Sequence, residues 1–594
     1  MGRGAFSNPD IKEIDILLTK CRIFFILKKP LFKSLFLNKK RGLKMKEKYT
    51  IGLDYGTLSG RGILVRCRDG KILAGAVKEY SHGVMDQVLP DGTTKLPPAW
   101  ALEYPADYLE VLCEVVPAIM KAGKVDKEDV IGIGIDFTSC TMLPIDKDAV
   151  PLCEKEAYKD RRNAYAKLWK HHGAQAQADK INAYLEENGM TSLPRFGGKI
   201  SPELLAPKVM EILEEDPEIY EQADEILEAG DWLTRILTGS HKRSVSMAGY
   251  KAWWNHEEGY PEEGFFRALD PAMEHFVSEK LPGEICGIGE AIGTLSAAWA
   301  QRLGLSEGIP VASAVIDSHA GVPGSGVQNG SQMMLVLGTS SVIVGLSRQP
   351  YAEKGICGAV RDAIVPGYYA LESGLACVGD LFGWYVDHMV PASYEREARD
   401  EGIHIHQLLS RKAAERKPGE SGLLALDWWN GNKTPYVNAN LKGTLLGMTM
   451  TTKPEEIYRA LIEATAFGTR TIVELYEKNG LKAEEMIVSG GIALKNPMLM
   501  QIYADVLGKE LKIADCDQAA ALGSAIYAAL AAGAEKGGYD SYEEAVKQMS
   551  KVKEHTYVPD MAAKKTYDSL YRLYLELGSV LGGSGGIMER LQKV

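Results

Sequence analysis

Apolar residues recur along the chain with two periods. From residue 49, YTIGLDYG and GRGILVRC are short apolar runs around a Gly/Thr/Ser-rich turn, which predicts a β-hairpin. Helical spacing follows in YPADYLEVLCEVVPAIMKAG (104–123), and VIGIGIDFTSCTMLPID (130–146) predicts a buried strand entering a polar turn. Between 150 and 310 the pattern is mainly helical and broken by WW and Gly/Pro patches, as suits an elaborated substrate region. The opening pattern then returns. VASAVIDSHAGVPGSG predicts a strand, an Asp and a Gly-rich bend, and SQMMLVLGTSSVIVGLS predicts strand, turn and strand. A helix at 454–478, a strand ending in SGG at 489–491 and a small-residue helix at 518–534 follow.

Residues 51–65 and 333–347 therefore look like one device used twice. Internal repetition of this kind predicts an α/β protein of two related lobes facing each other across a cleft. The expected divisions are an extension at 1–44, an N-terminal sugar-binding lobe at 45–325, a C-terminal nucleotide-binding lobe at 326–550, and a helical segment and tail at 551–594.

Composition narrows the picture. With 594 residues, 45% of them hydrophobic, the chain can bury more than one core, and it is neither collagen-like nor low in complexity. The net charge of -11 is uneven, because residues 1–44 carry a net +8 and the remainder -19. An acidic body without a basic stripe argues against a nucleic-acid partner, since phosphate backbones are held by clustered Lys and Arg. Nine cysteines with no C-x-x-C spacing suggest neither a zinc site nor a disulfide framework, and the expected compartment is the reducing cytoplasm. In the basic extension the longest apolar run, IFFIL, is too short for a signal-peptide core or a membrane span, so no membrane partner is expected. Met45 opens MKEKYTIGLDYG, with charged residues before a clean strand. Residues 1–44 are accordingly expected to add nothing to fold or activity.

The candidate chemistry lies in the turns. Asp54-Tyr55-Gly56-Thr57-Leu58-Ser59-Gly60-Arg61 offers close backbone N–H groups and hydroxyl donors, the equipment for cradling phosphate oxygens. Asp54 would repel phosphate unless a cation lay between them, and magnesium held through water would resolve that conflict. Gly338-Thr339-Ser340-Ser341 repeats the turn in the second half, and SGG at 489–491 adds a third exposed backbone point. There is no G-x-x-x-x-G-K-[ST], H-R-D or D-F-G string, so P-loop and protein-kinase designs are excluded.

IGLDYGT (51–57), DSHAGVPGSG (317–326), LGTSS (337–341), GTLLGMTMTTKPEEIYRALIEATAFG (443–468) and SGGIALKNPMLMQIYADVLG (489–508) resemble the FGGY family of carbohydrate kinases. DFTSCTMLPID (136–146), LWKHH (168–172), SMAGYKAWW (246–254), YYALESGLACVGD (368–380) and LDWWNGNKTP (426–435) are similar to members that act on L-ribulose. The resemblance runs from about residue 49 to about 550, and the family lacks the N-terminal extension. It implies two ribonuclease-H-like lobes of the actin-like ATPase kind around a central cleft. It also implies ATP-dependent phosphorylation of L-ribulose to L-ribulose 5-phosphate in arabinose catabolism, with Mg2+ accompanying ATP and a homodimer left open.

By motif position, Asp54, Thr57 and Arg61 fall on the first phosphate turn, Asp54 with the magnesium, and Thr339 on the second. Gly379, Gly490, Gly491 and Asn496 fall at the nucleotide. Asp317 falls on the family's catalytic aspartate and on the sugar, whose other implied contacts are Ser139, Trp169, Lys251 and Glu372. Asp317 is expected to have an ordinary carboxyl pKa near 4. The alternatives are a kinase of the same fold acting on D-ribulose, xylulose, a pentitol or glycerol, and an actin- or Hsp70-like nucleotide switch. Other conspicuous residues have plainer expectations. His404 and His406 should be surface strand residues, the acidic stretch 211–228 should be amphipathic helices with a solvated face, and Trp253-Trp254 and Trp428-Trp429 should be packing residues.

Overall fold

In the computed structural model, which describes residues 46–190, 198–351, 355–356, 358–583, 585–591 and 593, the chain builds two seven-stranded sheets. The expectation for residues 1–44 lies outside the described residues. β1 (Tyr49–Tyr55) and β2 (Ser59–Arg66) form the expected hairpin, β3 (Ile72–Glu79) extends it, and β4 (Val130–Phe137) lies parallel to β1 on the other side. β5 (Ala291–Thr294), β6 (Pro310–Ala312) and β7 (Val315–Ile316) complete the sheet in the order β5-β6-β4-β1-β2-β3, with β7 also paired to β4. β4 is buried at every position, which is why its sequence is a continuous apolar run and does not alternate.

The second sheet repeats the core of the first. β8 (Gln332–Leu337) and β9 (Ser341–Ser347) form its hairpin, followed by β10 (Gly358–Arg361), β11 (Tyr369–Ser373), β12 (Glu485–Ser489), β13 (Glu510–Ala514) and β14 (Val552–Tyr557). The order is β10-β11-β9-β8-β12-β13-β14. In each sheet a two-strand antiparallel hairpin lies beside a parallel strand, β1 beside β4 and β8 beside β12. Residues 551–594, expected to be helical, begin with β14, the edge strand of this sheet, because Leu511 and Lys512 pair with Tyr557 and Thr556.

Helices cover the sheets. α1 (Pro105–Gly123) buries Tyr108, Val111, Leu112, Val115, Val116 and Ile119 from one stripe, as its spacing predicts. α2 (Leu205–Glu215) and α3 (Val245–Lys251) belong to the region inserted between β4 and β5, together with three strands of a four-stranded sheet whose fourth, Leu102–Glu103, precedes β4. There the amphipathic helices expected at 211–228 form as far as Gln222, with Glu214, Glu215, Glu218 and Glu221 exposed, but the solvated helical face does not extend to the end of the stretch. Residues Glu225–Glu228 form a strand because Ile226 and Leu227 pair with Pro144 and Leu143, and Glu211, Glu225 and Glu228 are buried. α4 (Asp317–Ser325), α5 (Gly379–Met389), α6 (Pro454–Lys478), α7 (Gly491–Lys495), α8 (Pro497–Leu507) and α9 (Ala519–Ala532) follow in order.

The two halves are joined by α9, which follows β13 of the second sheet yet packs on β1 and β4 of the first. Its Ala-rich sequence and the glycines of the facing strands make that approach feasible: a Cβ on Gly52 of β1 would overlap the Ala521 carbonyl, and one on Gly134 of β4 the Ser524 carbonyl. α9 also crosses α4 through Gly523 and Gly324, each of which lies against the other helix's backbone. His404 and His406 sit not on a strand but at the start of the helix Ile405–Ala414, where the His404 side chain accepts from the His406 N–H at 3.4 Å. Trp253 and Trp428 are buried packing residues, as expected.

Candidate active site

Both expected phosphate turns form, each closed by a glycine N–H, across three residues in the first and two in the second. In the first, Gly56 N–H donates to Ser59 O at 3.0 Å; in the second, Gly338 N–H donates to Ser340 O at 3.0 Å. The second turn is anchored from α5, whose Gly379 N–H reaches Gly338 O at 2.9 Å while Val378 N–H reaches Thr339 O at 2.9 Å. Gly379 has no room for a side chain, since a Cβ would lie 2.7 Å from that carbonyl. Gly490 takes a φ of 104°, a backbone conformation that favours glycine, and a side chain there would collide with Leu337 O at the entry to the same turn. Thr339, Gly379 and Gly490 thus meet around one turn, with Gly491 beside them opening α7 onto unoccupied space. Asn496 lies farther along. Its amide caps α8 by accepting from Leu499 N–H at 3.1 Å and donates to Ser410 Oγ at 3.0 Å, so its polar atoms already have protein partners.

Across the cleft, Asp54 is the penultimate residue of β1, held by Arg61 Nε at 3.4 Å on the antiparallel side and in register with Asp136 of β4 on the parallel side. Burial raises the pKa of Asp54, and the Arg61 charge opposes the rise. Asp136 is fully buried, and its carboxyl is raised much further, by burial and then by the Asp54 charge. Ser524 of α9 donates to Asp136 Oδ2 at 2.6 Å, tying this carboxyl pair to the helix that joins the lobes. Asp136 was not singled out from the sequence, although I-G-x-D occurs at both 51–54 and 133–136.

Asp317 is the first residue of α4, and its Oδ1 accepts from Ser318 N–H at 2.6 Å. Burial raises its carboxyl to about 7, with Asp54 and Glu372 adding to the rise and Lys251 opposing it. The expected pKa near 4 is therefore corrected, because the aspartate sits in a buried group of like charges. Glu372, on β11, is held in the opposite state. Its burial is outweighed by the hydrogen bond from His319 and by the charges of His319, Lys251 and Lys433, which keep it ionised down to about 2. His319 Nε2 lies 2.6 Å from Glu372 Oε2, with the ring buried beside Tyr250. Lys251, at the end of α3, would lose its proton more easily through burial alone; Cys140, Glu372, Glu203 and Glu228 reverse that effect.

Trp169 is 39% exposed, and its indole N–H donates to Thr57 Oγ1 at 3.1 Å, which joins the expected sugar wall to the first phosphate turn. Ser139 is half-buried in the turn two residues beyond β4, next to Cys140, which has a φ of 60°. Asp54, Asp317, Glu372 and Lys251 are therefore coupled electrostatically, with Trp169 tied to the adjoining turn and Asn496 at the far end of the nucleotide side. His319 escaped the sequence reading though it stands two residues from Asp317, because its role depends on a β11 carboxylate 53 positions away.

No group of three or more potential metal-ligating side chains clusters among the described residues. The partly buried carboxylate of Asp54, with Asp136 behind it, suits a cation held through water at a single carboxylate and does not form a protein cage. Among the described residues no helix is long and apolar enough to cross a membrane.

The N-terminal domain of the FGGY family of carbohydrate kinases matches residues 49–324, and the C-terminal domain of that family matches residues 333–532. A ribulokinase of Bacillus licheniformis is 50% identical over 537 residues, which cover 90% of this chain and 97% of that protein. A ribulokinase of Halalkalibacterium halodurans is 48% identical over 92% of this chain and 98% of its own length. Among solved structures, a xylulose kinase from Rhodospirillum rubrum superposes with a TM-score of 0.73 at 22% identity, covering 90% of this chain and 98% of that one. At that identity the likeness shows the fold alone, two lobes of the kind found in sugar kinases.

Proposed function

This chain belongs to the FGGY family of carbohydrate kinases, ATP-dependent enzymes, and from that premise we propose that it phosphorylates L-ribulose at its terminal hydroxyl in arabinose catabolism, giving L-ribulose 5-phosphate and ADP. The observation that carries the sugar assignment is the similarity to ribulokinases along nearly the whole of both chains.

The geometry supports a transfer in which the protein mainly positions and neutralises, as a loose phosphoryl transition state requires. The turns at Asp54–Arg61 and Gly338–Ser341 offer backbone N–H and hydroxyl donors to the phosphates, and Gly379, Gly490 and Gly491 keep the backbone close at the nucleotide. Asn496 stands behind them and fixes the start of α8. Ser139, Trp169, Lys251 and Glu372 orient the sugar. The hydroxyl oxygen attacks the γ-phosphorus, the bond to the β–γ bridging oxygen breaks, and the hydroxyl proton passes to Asp317. A carboxyl poised at about 7 is a far better acceptor at neutral pH than one near 4. Asp54 would hold Mg2+ through water, and the ion would supply charge neutralisation at the phosphates. Lobes and domains divide near residue 325 in this reading, between the site's Asp317 and the second hairpin. A cytoplasmic enzyme fits the substrates.

A coupled assay for ADP release over L-ribulose, D-ribulose, xylulose, pentitols and glycerol tests the proposal. The expected outcome is the highest kcat/KM with L-ribulose. A higher value with another polyol would move the assignment within the family, and ADP release independent of any sugar would favour a nucleotide switch.

A further inference from the structure

Lys208 is a fully buried lysine on α2 that has no ion-pair partner among the described residues. Its ammonium donates to two main-chain carbonyls, Cys140 O at 2.7 Å and Leu168 O at 2.8 Å. Those carbonyls belong to two chain segments that run antiparallel and pair at Met142 and Lys167, where their ladder ends. Continuing that register brings Cys140 opposite Trp169, with Ser139 one residue beyond. At this splayed end Cys140 takes a left-handed backbone conformation, so the ladder does not continue. The ammonium takes the place of the missing ladder partner for Cys140 O, which would otherwise be buried and unpaired, and it shares Leu168 O with the His171 N–H, which donates to that carbonyl at 3.0 Å. A buried ammonium is costly to hold, and an apolar side chain would fill the same space at less cost.

We infer that Lys208 is a positioning residue for the sugar: its ammonium pins the segments carrying Ser139 and Trp169 to one point and so sets the width of that wall of the site. The inference rests on the reading of Ser139 and Trp169 as sugar contacts. Its link to the nucleotide side is the Trp169 indole N–H bond to Thr57 Oγ1; the β1–β2 turn is closed by its own Gly56 N–H to Ser59 O bond, and the other candidate nucleotide residues belong to that turn or to the second lobe. Loss of the ammonium therefore acts on sugar affinity and on discrimination between ketopentoses. Phosphoryl transfer at saturation is little affected, because Asp317 and Asp54 are anchored independently of α2.

Lys208→Met, close in shape and without donors, tests this in the intact enzyme. Titration calorimetry with L-ribulose in the absence of nucleotide is expected to show Kd rising about tenfold or more, with KM for L-ribulose following. KM for ATP and kcat at saturating sugar are expected to change by less than about threefold. The preference for L-ribulose over other ketopentoses should shrink, and Lys208→Arg, which restores cationic donors, should recover part of the sugar affinity. A folded Lys208→Met enzyme with wild-type sugar affinity and preference overturns the inference, and so does an equal loss of sugar and ATP binding. If Lys208→Met does not fold, hydrogen exchange on the wild-type enzyme decides. L-ribulose should slow exchange in 138–142 and 167–170 together, and a response in neither or in only one of them overturns the inference. A wild-type enzyme that uses another sugar of the panel overturns the L-ribulose assignment alone, and the comparison then runs with that sugar.

Discussion

Replacing Asp317 by Asn removes one negative charge and one proton acceptor with almost no change in shape. In the free protein its carboxyl is raised from 3.8 to about 7 by burial and by the charges of Asp54 and Glu372. Three pKa units correspond to about 4 kcal/mol of preference for the neutral form. The wild-type enzyme should therefore lose kcat/KM below about pH 7, roughly tenfold per unit, because that parameter reports the free enzyme's essential base. Asp54 and Asp136 are raised by burial as well, so the limb belongs to a cluster, and the variant assigns it. Asp317→Asn should lower kcat by about 10² or more and abolish the limb near pH 7, with sugar and ATP affinities little changed. Stability supplies a control of opposite sign. The folded carboxyl holds its proton more tightly than the unfolded chain, so raising the pH from 3.8 to about 7 withdraws stability that Asn does not lose. At pH 8 the variant should melt no lower than wild type, which separates lost chemistry from lost folding. A wild-type profile flat between about pH 5 and 8, or a limb that persists in Asp317→Asn, would refute the reasoning.

Gly338→Val should raise KM for ATP by about tenfold or more while calorimetric sugar affinity survives, because its Cβ would meet only Ser340 O, at 3.8 Å, and otherwise projects into the space offered to phosphate. Gly523→Val forces a side chain into the Ala320 carbonyl of α4, and chemical denaturation should show a loss of about 3 kcal/mol or more, since backbone cannot yield as a flexible side chain can. Glu103 is raised from 4.5 to about 8 by burial, outweighing the hydrogen bond from Tyr108, so stability is withdrawn as pH rises through that interval. Glu103→Gln should therefore show a shallower fall in Tm between pH 6 and 9 than wild type.

The repeated hairpins were legible because each is a local pattern of two apolar runs around Gly, Thr and Ser. Asp317, Thr339 and Gly490 were legible for a similar reason, since each stands where a strand ends in a Gly-containing string, although the Gly-rich stretch after Asp317, expected to be a bend, is the helix α4. The elements that failed depend on distant partners. Glu225–Glu228 has helical spacing yet becomes a strand because Met142–Ile145 offers it an edge, and β14 is recruited from the tail by β13. His319, Asp136 and Lys208 act through Glu372, Ser524 and two carbonyls that lie far away in sequence. The raised pKa of Asp317 has the same origin, because burial and the approach of Glu372 exist only once both sheets are assembled.

The central claim is that this cleft transfers the γ-phosphoryl group of ATP to L-ribulose with Asp317 as the proton acceptor. A single turnover of enzyme-bound ATP labelled in the γ-phosphoryl group, mixed with L-ribulose and quenched in time, tests both parts. In the wild-type enzyme the label should appear on a pentose 5-phosphate only when the sugar is present, and in Asp317→Asn at a rate lower by about 10² or more. Label released as inorganic phosphate without regard to sugar, or near-normal transfer in Asp317→Asn, would contradict the account.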